Sequence, residues 1–176
     1  MKGKRSILYI NISRCLACRS CELACVVEHS RAKELVGAVW ETPRQLPRVW
    51  VVAAGNGAVP LQCRQCVNAP CVEICPTKAI QRASEESPVY IKHELCIGCK
   101  WCILACPFGV IRMDSEGQTI IKCDECSERV ALGGIPACVS ACPTKALQYK
   151  PLDEILEAKR EAFLVQIERS LDGGKK

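Results

Sequence analysis

The sequence predicts an α+β fold: two similar modules of short strands and short helices, related by a pseudo-twofold, with a C-terminal helix appended. Three observations lead there. Its sixteen cysteines fall into four runs of four with none left over. C-P-T-K-A-I at 75–80 recurs as C-P-T-K-A-L at 142–147, with C-P-F-G-V-I at 106–111 as a looser copy, so the chain carries an internal repeat. The stretches between runs hold brief apolar segments bounded by proline and glycine, which leave room for short elements only.

The third run sets the pattern. Cys96, Cys99, Cys102 and Cys106 stand at gaps of two, two and three residues, and Pro107 closes the run. Three thiolates at two-residue gaps wrap a loop around one small inorganic body. The fourth lies most of a helical turn further on and points away from that loop. In iron–sulfur proteins of the bacterial ferredoxin type, the fourth thiolate of such a run ligates the other cluster of a pair. A run of this kind needs a partner run.

Residues 6–12, S-I-L-Y-I-N-I, read as a short strand leading into the first run, Cys15, Cys18, Cys21 and Cys25. Val26 stands where the third run has proline, so a helix is free to continue through V-V-E-H-S-R. His29 on that helix reads as a packing or surface residue, since the sixteen thiolates already suffice. Residues 33–60 hold no cysteine and are broken by Pro43, Pro47 and the G-N-G at 55–57, with R-V-W-V-V-A-A as a strand ending in a turn. This insertion is expected to cover a cluster or meet a partner.

The second run, Cys63, Cys66, Cys71 and Cys75, carries Pro70 in its widened gap, where proline opens a short helix. E-S-P-V-Y-I-K follows as a strand with Val89 and Ile91 on one face. The second and third runs therefore form a central module over 61–112. The fourth run, Cys123, Cys126, Cys138 and Cys142, holds a helical turn and a glycine–proline loop in its long gap. It is expected to serve the first run in an outer module, 1–60 with 113–150. Beyond Pro151, Leu152, Ile155, Leu156, Phe163, Ile167 and Leu171 recur at helical spacing, with acid early and base late. Residues 151–176 thus form a helix and a frayed tail, and the helix either packs on its own module or docks on another subunit.

Composition excludes several functions. The formal charge of +5 would be more than cancelled by four anionic clusters, which argues against nucleic acid as a partner. Arg14, Arg19, Arg64, Lys78, Lys100, Arg112, Lys122 and Lys145 stand near cysteines, where they screen cluster charge. The N-terminus has no apolar run of signal-peptide length, and no stretch approaches the roughly 18 apolar residues of a membrane span. A cytoplasmic location is expected, with any attachment to the inner face of the membrane made through a partner. Disulfides fit poorly, because cysteines at two-residue gaps suit a shared metal body better than mutual pairing. A structural zinc module is the remaining alternative, but zinc sites take two separated C-x2-C pairs and have no use for the third and fourth cysteine of each run. Complete four-cysteine sets leave no open iron position, and no phosphate-binding glycine motif is present, so the chain itself is expected not to be an enzyme.

At these motifs the sequence resembles the four-cluster ferredoxin subunits of the dimethyl sulfoxide reductase and formate dehydrogenase type, over roughly residues 5–150. Within that group C-R-S-C-E-L-A-C-V-V-E-H-S, P-L-Q-C-R-Q-C, C-I-G-C-K-W-C and P-A-C-V-S-A-C-P-T-K-A-L are most similar to the iron–sulfur subunit associated with nickel carbon monoxide dehydrogenase. That resemblance implies a hetero-oligomeric subunit wiring a catalytic redox partner to a hydrogenase or flavoprotein acceptor in anaerobic metabolism. Tungsten aldehyde oxidoreductase, benzoyl-coenzyme A reductase, formate dehydrogenase and hydrogenase are the alternative partners. Carried over by position, it implies four 4Fe–4S clusters with iron held by all sixteen cysteines. Cys15, Cys18 and Cys21 would share one cluster with Cys142, and Cys123, Cys126 and Cys138 one with Cys25. Cys63, Cys66 and Cys71 would share one with Cys106, and Cys96, Cys99 and Cys102 one with Cys75. Some relatives replace a cysteine by tryptophan and hold a 3Fe–4S centre; Trp101 replaces no ligand, so only 4Fe–4S centres are expected.

Overall fold

The computed structural model describes residues 6–85 and 87–172; the basic N-terminal residues and the tail after Asp172 lie outside the described residues. β1 (Ser6–Ile10) forms in the stretch expected to be a strand. It pairs antiparallel with β8 (Leu147–Pro151), Ser6 lying opposite Pro151 and Ile10 opposite Leu147. The two ends of the cysteine-bearing chain are thereby zipped together. The same construction recurs in the middle of the chain, where β4 (Ile80–Arg82) pairs antiparallel with β5 (Val89–Ile91). Each ladder is extended by one further bond into the repeat: Asn11 N–H donates to the Ala146 carbonyl at 2.7 Å and Lys92 N–H to that of Ala79 at 2.8 Å.

From either ladder the chain makes one 3-10 turn, Ile12–Arg14 or His93–Leu95, and enters a cysteine run. α1 (Ser20–His29) then carries Cys21 and Cys25 of the first run, and α4 (Trp101–Ala105) carries Cys102 of the third and ends just before Cys106. Pro70 opens α3 (Pro70–Glu73) at the first helical position, as the sequence led one to expect. α5 (Ser127–Ala131) and α6 (Ala137–Ser140) fill and close the long gap of the fourth run.

The insertion is more regular than its sequence implied. A short helix, α2 (Leu35–Trp40), is followed by a full hairpin of β2 (Val49–Ala54) and β3 (Gly57–Gln62), not by a single strand. Pro60 obscured β3. Proline removes a ladder donor and is tolerated only on an edge, and in this two-stranded sheet both strands are edges. Val49, Val51, Ala58 and Pro60 face inward, β2 packing on α1 and β3 on the Ile12–Arg14 turn, and β3 runs directly into Cys63, across the expected module boundary at residue 61. A two-residue ladder, β6 (Arg112–Met113) with β7 (Ile120–Ile121), was also not anticipated, being too short to leave a pattern.

Among the described residues the buried apolar side chains gather in two clusters. One joins α1, the β2–β3 hairpin and the start of β8, and includes Cys21, Cys25, Cys138 and Cys142. The other joins β4, β5, β7 and the second and third runs, and includes Cys75 and Cys102. Cysteines are thus a structural part of both cores.

α7 (Leu152–Asp172) settles the question of the C-terminal helix in part. Its start packs on β8 and β1, where Ile155 is buried and Lys159 lies 5.3 Å above the Tyr9 ring. Beyond that, Phe163, Ile167 and Leu171 are exposed. No helix among the described residues is long and apolar enough to cross a membrane.

The asymmetry along α7 is testable. Ile155→Ala should cost about 2–5 kcal/mol, as for other buried aliphatic truncations, and lower the thermal midpoint of the iron-loaded protein. Phe163→Ala should stay within about 0.5 kcal/mol. Equal losses at the two positions would mean that α7 packs along its whole length.

Candidate metal centre

The loops around the cysteines are bent in an unusual way. Among the described residues nine non-glycine positions have positive φ, and eight of them lie in or beside a cysteine run: Ala17, Arg19, Gln65, Lys78, Lys100, Glu125, Cys126 and Lys145. Such backbone is uncommon outside glycine and gathers at functional sites. Alternation of right- and left-handed residues turns successive N–H groups toward one concavity, a nest for an anionic group such as an iron–sulfur cluster. Gln65 N–H reaches Cys63 Sγ and Glu125 N–H reaches Cys123 Sγ, each at 3.4 Å.

The repeat is reproduced at the level of individual bonds. Cys75 Sγ and Cys142 Sγ each lie 3.8 Å from a threonine hydroxyl, of Thr77 and Thr144. Burial opposes ionisation of both thiols, but these hydroxyls and the amides at the start of the following strand, through Ile80 and Leu147, leave both below the ordinary range. The Gln81 and Gln148 side chains close both turns by donating to the carbonyls of Lys78 and Lys145.

The structure brings the cysteines together as follows. Cys15, Cys18, Cys21 and Cys142 line one cavity. Burial pushes up the thiols of Cys123, Cys126 and Cys138, that of Cys126 to about 12. It is helped by the charges of Cys138 and Cys25 on Cys123, of Asp124 and Cys25 on Cys126, and of Cys25, Cys126 and Cys21 on Cys138. Burial and the charges of Cys63 and Cys106 raise Cys71, although the Lys122 ammonium acts against them. Burial, Cys71, Cys96 and Cys99 raise Cys102 to about 11, and Cys75 shares one apolar cluster with Cys66, Cys71, Cys96, Cys102 and Cys106. All sixteen are free thiols. A buried thiol driven this high ionises readily only against a compensating cation, and iron is that cation when a cluster is bound. The donor set and the nests therefore fit 4Fe–4S groups.

His29 is a packing residue with a specific task. Without a proline after Cys25, α1 gains a turn and carries the His29 ring to Asp124, with Nε2 3.2 Å from Oδ1. Its Nδ1 lies 2.7 Å from the Cys25 carbonyl oxygen. Burial disfavours the charged ring, yet the hydrogen bonds to Asp124 and Cys25 push it up to about 9. Arg48 completes the network: its guanidinium donates to Asp124 Oδ2 at 2.7 Å and its backbone N–H to Cys25 Sγ at 3.2 Å. Asp124 in turn accepts from Cys126 N–H at 3.1 Å, tying the first run to the fourth.

Sequence reasoning did not single out Arg48, Asp124, Gln65 or Arg82. Arg82 donates to the carbonyls of Gln65, Cys66 and Val67, which lie some sixteen residues before it, and holds the second-run loop. The only local signal was for Gln65, an amide placed between two cysteines. Of the eight basic residues expected to screen cluster charge, only Lys122 is buried. Arg19 is exposed and reaches Glu22 at 3.6 Å, while Arg112 stacks 3.9 Å over Trp50.

Comparison with known proteins bears on this site. Residues 56–151 match the family model of the 4Fe–4S dicluster domain. An iron–sulfur protein of Rhodospirillum rubrum is 41% identical, covering 93% of this chain and 92% of its own. The electron transport protein HydN of Escherichia coli K12 is 40% identical over 77% of this chain and 82% of its own. A subunit of the anaerobic dimethyl sulfoxide reductase of Haemophilus influenzae is 34% identical over 84% of this chain and 74% of its own. With sixteen free cysteines, these matches establish that the chain carries multiple 4Fe–4S clusters.

The first and third runs differ at one backbone position with a clear consequence. Ala17 and Gly98 both precede the second cysteine of their run with positive φ, +56° and +65°. At Gly98 a Cβ would lie 2.5 Å from the Gln118 carbonyl oxygen, so only glycine fits under that turn. Gly98→Ala should cost about 1–3 kcal/mol in backbone strain alone and deplete the iron held around Cys96 and Cys99. Ala17→Gly should leave iron content unchanged. Iron and sulfide analysis of anaerobically purified variants checks both; full iron in the Gly98→Ala protein would contradict the steric account.

Proposed function

This chain belongs to the 4Fe–4S dicluster family, and we propose that it is a non-catalytic electron-transfer subunit with four clusters, wiring a catalytic redox protein to an acceptor. When bound, the clusters supply one-electron acceptance and release at little structural cost. The residues of the chain hold them, exclude water, and direct N–H groups and positive charge at sulfur, which together set potentials. The observation that carries this reading is the set of sixteen free cysteines gathered into the two cores, where Cys21 and Cys25 of the first run lie in one buried cluster with Cys138 and Cys142 of the fourth.

We assign the ligand sets on the same footing: Cys15, Cys18, Cys21 with Cys142; Cys25 with Cys123, Cys126, Cys138; Cys63, Cys66, Cys71 with Cys106; and Cys75 with Cys96, Cys99, Cys102. The first two sets make an outer module and the last two a central module, related by a pseudo-twofold. The repeated ladders and turns of β1–β8 and β4–β5 support that symmetry. Cys18 and Cys99 are the two exposed cysteines and belong to different modules, so they mark the ends at which electrons enter and leave. Nickel carbon monoxide dehydrogenase is the first candidate partner, on motif resemblance, with formate dehydrogenase or a hydrogenase next. Subunits that co-purify with the native protein under anaerobic conditions decide among them.

The assignment is tested by pairs of changes. Cys25→Ala should perturb one cluster, seen as lost iron or an altered electron paramagnetic resonance signal. Adding Cys126→Ala should damage no second cluster, because both residues serve the same one. Adding Cys18→Ala should damage a second. The reverse pattern would place Cys25 with its own run and defeat the assignment.

A further inference from the structure

Lys122 has the largest side chain among those fully buried, at 1% exposure. β7 delivers it directly before Cys123. Its ammonium donates to the Val89 carbonyl at 2.5 Å and to the Cys123 carbonyl at 2.8 Å. Gln65 grips the same two residues: its amide nitrogen donates to the Cys123 carbonyl at 2.9 Å, and its amide oxygen accepts from Val89 N–H at 2.8 Å. Lys122 and Gln65 therefore fasten the fourth run to the second run and to β5. They sit where the two buried cysteine sets meet.

The ion pairs of the described residues do not include Lys122. A buried ammonium with carbonyl partners only is costly, because carbonyl dipoles replace just part of its hydration. Natural cores keep such a charge where an opposite charge offsets it. Val89, whose carbonyl the ammonium holds, belongs to the apolar cluster on which Cys66, Cys71 and Cys106 pack, and the Lys122 charge favours the ionised form of Cys71.

We infer that Lys122 is the built-in counter-charge of the cluster held by Cys63, Cys66, Cys71 and Cys106, a positioning residue that raises that cluster's reduction potential. The inference rests on the proposed function and adds an assigned residue to it. Reduction adds one negative charge to a cluster, and a fixed cation beside it stabilises the reduced form more than the oxidised form. An inner cluster without that help would lie lower than its neighbours and impede electron passage between the two ends.

The experiment is a potentiometric titration of the anaerobically purified full chain, followed by electron paramagnetic resonance, with iron analysis alongside. Wild type is compared with Lys122→Gln and Lys122→Arg. In Lys122→Gln, at full iron content, one reductive step should move to lower potential while the others stay; in Lys122→Arg it should return toward wild type. Full iron with every step unmoved in Lys122→Gln would overturn the inference. If Lys122→Gln loses iron, the arginine variant decides. Recovery of iron and potential by arginine supports a role for the charge; failure of both variants makes Lys122 a packing residue only and overturns the inference. A wild-type chain free of iron–sulfur clusters would instead defeat the proposed function itself.

Discussion

Everything in this molecule depends on burying sulfur that must be charged. A core built from cysteine side chains is apolar while the thiols are protonated, and burial keeps them so: Cys21 and Cys102 are pushed up to about 11. The same residues are useful only as thiolates. The fold meets this conflict with backbone amides and threonine hydroxyls directed at sulfur, and leaves the rest to iron. Metal binding and folding are therefore coupled here, as in other small metal-bearing domains whose ligands also form the core.

The repeat shows which parts of that solution are generic. Turn, threonine, glutamine and strand recur after Cys75 and Cys142 with the same bonding partners. The departures carry the individuality of each half. Replacing the proline after the fourth cysteine by Val26 lengthens α1, and the added turn delivers His29 to Asp124 beside the fourth run. Crowding by the Gln118 carbonyl demands Gly98 where the other half tolerates Ala17. The β2–β3 hairpin covers α1 with Val49 and Val51 and has no counterpart among the described residues of the central stretch.

These departures also place the polar residues. Arg48 leads into the hairpin and donates to Cys25 Sγ, while Arg82 ends β4 and clasps the second-run loop. Both act on cysteines far away in sequence. Arg48 reaches Cys25 through its backbone N–H and Arg82 grips backbone carbonyls, and backbone groups carry no sequence code of their own.

The sequence by itself determined the chemistry. Cysteine spacing is dictated by how a loop and a helical turn present sulfur, so four runs of four could be read without coordinates. The C-P-T-K-A repeat and the apolar alternation of β1 and β5 were legible for the same reason: they are local. Tertiary structure alone decided the rest. It made a strand of Gly57–Gln62 despite Pro60, because an edge strand needs no donor there. It left most of α7 exposed although its apolar spacing is that of a packed helix, since spacing says which residues share a face and not what meets that face. And it buried Lys122 while leaving Arg14, Arg64 and Lys100 in solvent, a choice among similar cations near cysteines that only the meeting of β5, β7 and the second run could make.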